Sequence, residues 1–273
     1  MPARRFVKGR PPGALFVCLL LISSSVLAAV KCPVDRIDLR AEVEYVHDGD
    51  TVRLPDGRSV RLIGLNTPEM ARDGRPAEPL AEIARDRLRE LVRDAGMRLD
   101  LRYDADREDH YQRTLAHAYL PDGRSVTALL IGEGLATALT VPPNVTSWAC
   151  YMAAERQARA SGRGLWARSR YRVRESTSLA SSLRGFVLVQ GVVVDLQPRR
   201  SGTRLILEGG LVAWVPHADA HYFPALARVL GQRVELRGWL RKRGREMQIR
   251  VRHPASLVPA EAAERARWLA EDG

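Results

Sequence analysis

The chain has 273 residues, a formal net charge of +11 and 45% hydrophobic residues. That apolar content excludes a disordered or collagen-like chain, and the length allows one large domain or two small ones, each with its own core. The positive charge makes a polyanion the first partner to consider, although Lys occurs only at Lys8, Lys31 and Lys242 and every other basic residue is Arg, so no single Arg carries much weight. At the N-terminus, Arg4, Arg5, Lys8 and Arg10 precede an apolar run from Ala14 to Ile22 that continues to Ala28 and Ala29. A positive start, a short apolar stretch and a small-residue end fit a secretory signal peptide over residues 1–29. The alternative is an uncleaved membrane anchor, for which the run is short of the ~20 apolar residues a span needs. The expected location is therefore periplasmic or secreted. Cys18 would leave with this segment, and an even pair in an oxidising compartment predicts a disulfide between Cys32 and Cys150, two unpaired buried thiols being the alternative.

From Leu39 to Trp166 the chain reads as one mixed unit. Alternating stretches at Glu42 to Val46 and Thr51 to Leu54 flank the turn His47-Asp48-Gly49-Asp50, and Pro55-Asp56-Gly57 leads into a third strand, Ser59 to Leu65. Pro79 to Ala95 carries Leu80, Ile83, Ala84, Leu88, Leu91 and Val92 at helical spacing, with Gly96 as a stop. Met97 to Tyr103 and Thr114 to Leu120 read as strands, and Val126 to Glu133 and Trp148 to Ser161 as helices. Ser169 to Ser182 is polar and lacks periodicity, as a linker would. Beyond it come strands at Phe186 to Leu196, Thr203 to Leu207 and Leu211 to Val215, a helix at Ala218 to Leu230, and strands at Arg233 to Leu240 and Met247 to Val251. That βββαββ order suits a small Greek-key barrel of the OB type. Pro259 to Leu269 reads as a terminal helix. No internal repeat with sequence identity is evident.

Three segments place polar residues where strands meet turns. Asp48 and Asp50 flank a Gly, Arg61 follows on the next strand, and Asn66-Thr67-Pro68-Glu69 ends that strand in a Pro-fixed loop. Carboxylate, amide and carbonyl oxygens are what a hard cation such as Ca²⁺ takes. Singly, each is no more than a hairpin turn or a strand-edge charge; their order and spacing together carry the case. With no His-rich cluster or Cys pair at ligand spacing beside His47 and His110, a transition-metal site is not expected.

The blocks Val46-His47-Asp48-Gly49-Asp50-Thr51, Val60 to Glu69, Asp109 to Ala116, Leu129 to Leu135 and Gly164-Leu165-Trp166, in this order, make the region similar to the staphylococcal nuclease (thermonuclease) family. The resemblance implies an OB-type five-stranded barrel with three helices and Ca²⁺-dependent hydrolysis of DNA and RNA phosphodiesters at the 5′-oxygen. It implies metal ligation by Asp50, by the Thr67 carbonyl and by position 66, a general base at Glu69, and a phosphate clamp at Arg61 and Arg113. Asp48 would be outer-shell or structural, and Tyr111 could bond a substrate phosphate. Two departures stand out. The second metal carboxylate is here Asn66, which keeps a carbonyl oxygen but loses a charge, so weaker Ca²⁺ binding is expected. The family's base-stacking tyrosines are absent from the stretch Ala138-Leu139-Thr140-Val141-Pro142.

In the second region, Arg237, Arg241, Lys242, Arg243, Arg245, Arg250 and Arg252 meet a single acidic residue, Glu246, between Leu236 and Arg252, and Trp239 lies among them. Phosphate attraction and base stacking would make Trp239, Arg241, Lys242, Arg243 and Arg245 a platform for single-stranded nucleic acid. The alternative is a solvated basic hairpin with Trp239 in the core. The expected fold class is α+β and mainly β: a nuclease-like domain at 39–168, a linker at 169–183, an OB-like domain at 184–258 and a helical tail at 259–273. The expected function is an exported Ca²⁺-dependent endonuclease acting on DNA and/or RNA; the alternatives are a nucleic-acid-binding protein with a degenerate site and an envelope scaffold.

Overall fold

The computed structural model describes residues 30–270, so the expected signal segment lies outside the described residues. Strand β1 (Leu39–Glu42) and strand β2 (Tyr45–Val46) belong to one segment bent at Val43-Glu44. β3 (Thr51–Arg53) and β4 (Ser59–Leu62) follow as a meander. β5 (Leu65–Asn66) precedes helix α1 (Ala81–Asp94), β6 (Arg98–Arg102) and β7 (Thr114–Tyr119). Helix α2 (Val126–Gly132), β8 (Thr137–Ala138) and helix α3 (Trp148–Ala160) complete the first half. These strands form a six-stranded sheet ordered β1-β6-β7-β4-β3-β2, with β5 and β8 paired separately. Because β1 and β2 are one bent segment, whose Val43 amide reaches Met97 and whose Glu44 amide reaches Arg53, the pairings return to their start.

Burial explains the elements. Val52, Val60, Leu62, Leu99, Leu101, Ala116 and Ala118 are buried at alternate strand positions, while α1 closes the core with Ala84, Leu88, Leu91 and Val92 at helical spacing. Ser125 caps α2 by accepting the Ala128 amide at 3.2 Å. The single strand expected from Ser59 to Leu65 is divided: the chain turns at Gly64 (φ 89°), where a Cβ would sit 2.3 Å from the Tyr151 ring. That turn sends β5 away from the sheet to pair with β8, and so carries Asn66 and Thr67 toward the β2–β3 turn. A disulfide joins Cys32 to Cys150, with Cα atoms 5.6 Å apart, and ties the leading segment to α3. Removing it should destabilise the fold by about 2–5 kcal/mol; melting of the Cys32→Ser/Cys150→Ser protein checks this, and an unchanged midpoint would show the tether to be idle.

The expected linker is ordered. Its Tyr171 and Ser176 are buried, Arg170 pairs with Glu78, and β9 (Arg174–Glu175) lies parallel to Val189-Gln190. Small serines fit against glycines here, leaving no periodicity to read: a Cβ on Gly191 would lie 2.1 Å from the Ser176 hydroxyl. Then come β10 (Gly185–Arg199), β11 (Gly202–Leu207), β12 (Val212–Pro216), β13 (Arg233–Arg243), β14 (Glu246–Arg250), β15 (Leu257–Pro259) and helix α4 (Ala262–Ala270). The helix expected over Ala218 to Leu230 is instead two 3₁₀ turns, His217–Tyr222 and Leu226–Val229. Pro224 is the cause, since it offers no amide and holds Phe223 extended at φ −99°, ψ 141°.

In this second, β-rich sheet, β10 pairs with both β11 and β13, β11 with β12, β12 with β14 in parallel, and β14 with β13. Both halves thus use one strand order, first-second-third-fifth-fourth, with a parallel third-to-fifth pairing, despite no sequence repeat. Charged pairs join the halves. Arg237, 4% exposed, meets Glu155, 1% exposed, at 2.7 and 2.9 Å, and Arg159 binds Glu235 at 2.7 and 2.8 Å. His253 lies beside them, 5.0 Å from the Trp148 ring, and its Nδ1 accepts the Ala255 amide at 3.1 Å.

Burial lowers the His253 pKa from 6.5 to about 4, as does not conflict with an Nδ1 that must stay unprotonated to accept. The unfolded imidazole takes a proton below 6.5 and the folded one does not until about 4, so the stability His253 contributes is full above pH 6.5 and declines as pH falls toward 4. The loss amounts to about 3 kcal/mol. The unfolding free energy of the parent minus that of His253→Gln should fall by about that amount as pH drops from 6.5 to about 4; a difference that does not change with pH would reject the assignment.

Candidate active-site cleft

Asp50 anchors the site. The β2–β3 turn closes through the His47 amide on the Thr51 carbonyl at 2.9 Å, and the Asp50 amide donates to Asp48 Oδ1 at 3.0 Å. Gly49 is required because a Cβ there would come within 2.7 Å of Thr67 and 2.9 Å of Ala84. That close approach lets Thr67 donate to Asp50 Oδ2 through its hydroxyl at 2.8 Å and its amide at 3.2 Å, while Arg61 Nη2 reaches the same oxygen at 3.0 Å. Arg61 stands on β4 opposite Thr51, and its guanidinium also donates to the carbonyls of Leu62 and, at 3.1 Å, Leu65. Thr67 therefore orients Asp50 through its amide and hydroxyl, a role beside the carbonyl ligation that the resemblance implies.

Arg113 is aimed by Asp109, a residue whose role sequence reasoning missed. Its Nε and Nη2 reach Asp109 Oδ2 at 2.8 and 2.7 Å, and Asp109 Oδ1 takes the Tyr111 and Arg113 amides at 2.9 and 3.0 Å. The four-residue spacing of an Asp and an Arg around a turn was the available signal. Tyr111, largely exposed, has the Arg113 guanidinium 5.5 Å from its ring centre.

These residues converge. A cleft of about 880 Å³ is lined by Asp48, Asp50, Arg61, Asn66, Glu69, Tyr111 and Arg113, with Thr67 behind Asp50. Burial and the neighbouring Asp50 push the Asp48 carboxyl up to about 6. Desolvation, Asp50 and Glu78 raise that of Glu69, against Arg61 and Arg113, which pull it down. The site is thus a crowd of carboxylates facing two guanidiniums, poised to accept a proton and to bind an anion.

Among the described residues no three His, Cys, Asp or Glu side chains are grouped to hold a metal. The donors that suit a hard cation are oxygens: the Asp48 and Asp50 carboxylates, crowded enough that Asp50 helps push the Asp48 carboxyl up, and the Asn66 amide on the same cleft wall. That crowding fits a divalent ion, which would relieve it.

Of the residues expected on the second half, Trp239, Arg241 and Arg243 line an adjoining groove of about 730 Å³. Lys242 and Arg245 lie outside its lining. Arg204, Arg250 and Arg252, which sequence reasoning did not select for it, line it instead, because β11, β14 and the segment after β14 border the same groove. Among the described residues no helix is long and apolar enough to cross a membrane.

Residues 59–168 match the family described as Staphylococcal nuclease homologue. The chain is 34% identical over 137 residues to a thermonuclease of Staphylococcus intermedius, covering 48% of this chain and 80% of that protein. It is 33% identical over 129 residues to a thermonuclease of Staphylococcus hyicus, covering 46% and 74%. Against endonuclease YncB of Bacillus subtilis the identity is 35% over 129 residues, covering 45% of this chain and 60% of the relative.

Proposed function

Because the chain belongs to the Staphylococcal nuclease homologue family and is a phosphodiester hydrolase, we propose that it is an exported, Ca²⁺-dependent endonuclease cleaving DNA and/or RNA with low sequence specificity. The observation that carries this reading is the meeting of Asp50, Arg61, Glu69 and Arg113, drawn from separate loops and strands, in one cleft. Arg61 and Arg113 donate to the non-bridging oxygens of the scissile phosphate and stabilise the charge that grows there in the transition state. Glu69, which shares the cleft with both guanidiniums, takes the proton of the water that attacks phosphorus, and the 5′-oxygen leaves as its bond to phosphorus breaks and picks up a proton to become the 5′-hydroxyl. Asp50, Asn66 and the Thr67 carbonyl would hold Ca²⁺, which when bound supplies Lewis-acid polarisation. Asp109 keeps Arg113 oriented, and Thr67 does the same for Asp50.

Both strand rings read as OB-type barrels, and the second supplies a basic groove for the polymer. Export is supported by the signal-like N-terminus and by a disulfide, which persists in oxidising compartments. A second reading, a binding protein with a degenerate site, is favoured by one feature: the neutral Asn66 among the ligands. Against a divalent ion at ~4 Å, the charge that Asn66→Asp adds is worth about 2–8 kcal/mol before its own desolvation. Ca²⁺ affinity in calorimetric titration should then tighten by about tenfold or more, and an unchanged titration would remove Asn66 from the ligand set.

The test of the whole reading is incubation of the protein with plasmid and single-stranded DNA plus Ca²⁺. Cleavage abolished by EDTA, restored by Ca²⁺ and leaving 5′-hydroxyl ends is expected. Intact polymer, or cleavage indifferent to EDTA, would overturn it.

A further inference from the structure

The catalytic cleft does not end at the first half of the chain. Leu139, Val141, Trp239 and Arg241 line both it and the basic groove, so the two spaces share a wall. The reason lies in the alternation of β13, which pairs with β10 without a break from Arg233 to Leu240. Val234, Leu236 and Leu240 face the second core. Glu235, Arg237, Trp239 and Arg241 share the other face. The first two are consumed at the junction by Arg159 and Glu155, and Glu155 also accepts the Ala138 amide at 2.7 Å, one residue before Leu139. The face that fastens the halves together therefore runs straight on into the cleft.

Trp239 emerges there 41% exposed, so it is not a core residue. Phe186, its partner on β10, meets it edge-on at 5.3 Å and 75°, which braces the indole from one side. Among the described residues Arg241 has no acidic partner, which leaves its charge for an anion. A braced, exposed indole beside an uncommitted guanidinium is the pairing that takes a base face and its phosphate. In a duplex each base face is already covered by its neighbour, so only an unpaired nucleotide can offer one.

We propose that Trp239 is the nucleobase platform of the catalytic cleft, supplied by the second half of the chain. The substrate is then a single strand, with one base stacked on Trp239 and its backbone passing Arg241 toward Arg61 and Arg113. The proposal rests on reading the cleft as a nuclease site, and it adds the strandedness of the substrate.

The test uses the full chain with single-stranded oligonucleotides in which one 2-aminopurine is walked along the sequence, in EDTA so that nothing turns over. Wild type should quench the fluorophore at one position. Trp239→Ala should lose that quench and bind roughly tenfold more weakly, while Trp239→Phe, which keeps a flat ring in the same strand, retains most of the affinity. Replacing the stacked nucleotide by an abasic one should weaken wild type by a similar factor and leave Trp239→Ala indifferent. A quench that survives Trp239→Ala, no quench at any position in wild type, or an abasic penalty equal in both proteins would overturn the platform. Ca²⁺-driven cleavage of the same oligonucleotides is read separately: its absence beside an intact quench rejects the nuclease reading alone, and cleavage without a quench rejects the platform alone.

Discussion

Arg61→Ala is expected to slow cleavage of a single-stranded oligonucleotide by about 10²–10³-fold at saturating Ca²⁺. Two losses combine. The phosphate is deprived of a donor in the transition state, and Asp50, whose Oδ2 lies 3.0 Å from Arg61, is deprived of its cationic neighbour. Arg61→Lys should recover little, because an ammonium cannot reproduce a planar fork whose Nη1 donates to the Leu62 carbonyl while its Nη2 serves Asp50 and the Leu65 carbonyl. Asp50 keeps the Thr67 amide and hydroxyl and the Thr51 hydroxyl as donors, so the variant should still fold, and its melting is read beside turnover to separate the two losses. A variant that still turned over within threefold of wild type would take Arg61 out of the chemistry.

The second large effect is on stability. Glu155→Ala removes the carboxylate that meets Arg237 at 2.7 Å in a site where both are almost fully enclosed. Breaking such a pair strands a buried charge and costs about 3–5 kcal/mol. The Ala138 amide would lose its acceptor as well. Denaturant unfolding should show the loss for Glu155→Ala, whereas Glu155→Leu combined with Arg237→Met should recover the part due to the stranded guanidinium and keep only the smaller cost of the unpaired Ala138 amide. If the single variant is as stable as the double, the guanidinium does not depend on Glu155.

These two residues also mark where sequence reasoning stops. α1 was legible because its apolar residues repeat at helical spacing and Gly96 ends it; the β2–β3 turn was legible because Asp48-Gly49 has few other uses. The clustering of Asp50, Arg61, Glu69 and Arg113 was legible only as motif order, since nothing local says that Gly64 turns the chain and lays Thr67 on Asp50. Residues 169–183 looked like a linker because their packing relies on serines against glycines. The helix expected over Ala218 to Leu230 follows the apolar residues there, and Pro224 in its middle is what breaks it into two 3₁₀ turns. Glu155 and Arg237 are 82 positions apart, and neither announces a partner. Trp239 had its strand and its basic neighbours in plain view; that its wall is shared with the catalytic cleft follows from the junction, a tertiary fact.

The central claim is that one carboxylate in this cleft serves as the base for phosphodiester hydrolysis. The most direct measurement is the turnover of a single-stranded oligonucleotide with saturating Ca²⁺ by wild type and Glu69→Ala purified side by side. A fall of about 10²–10⁴-fold in turnover, with oligonucleotide affinity retained, is the predicted result, and equal turnover by the two proteins would contradict it.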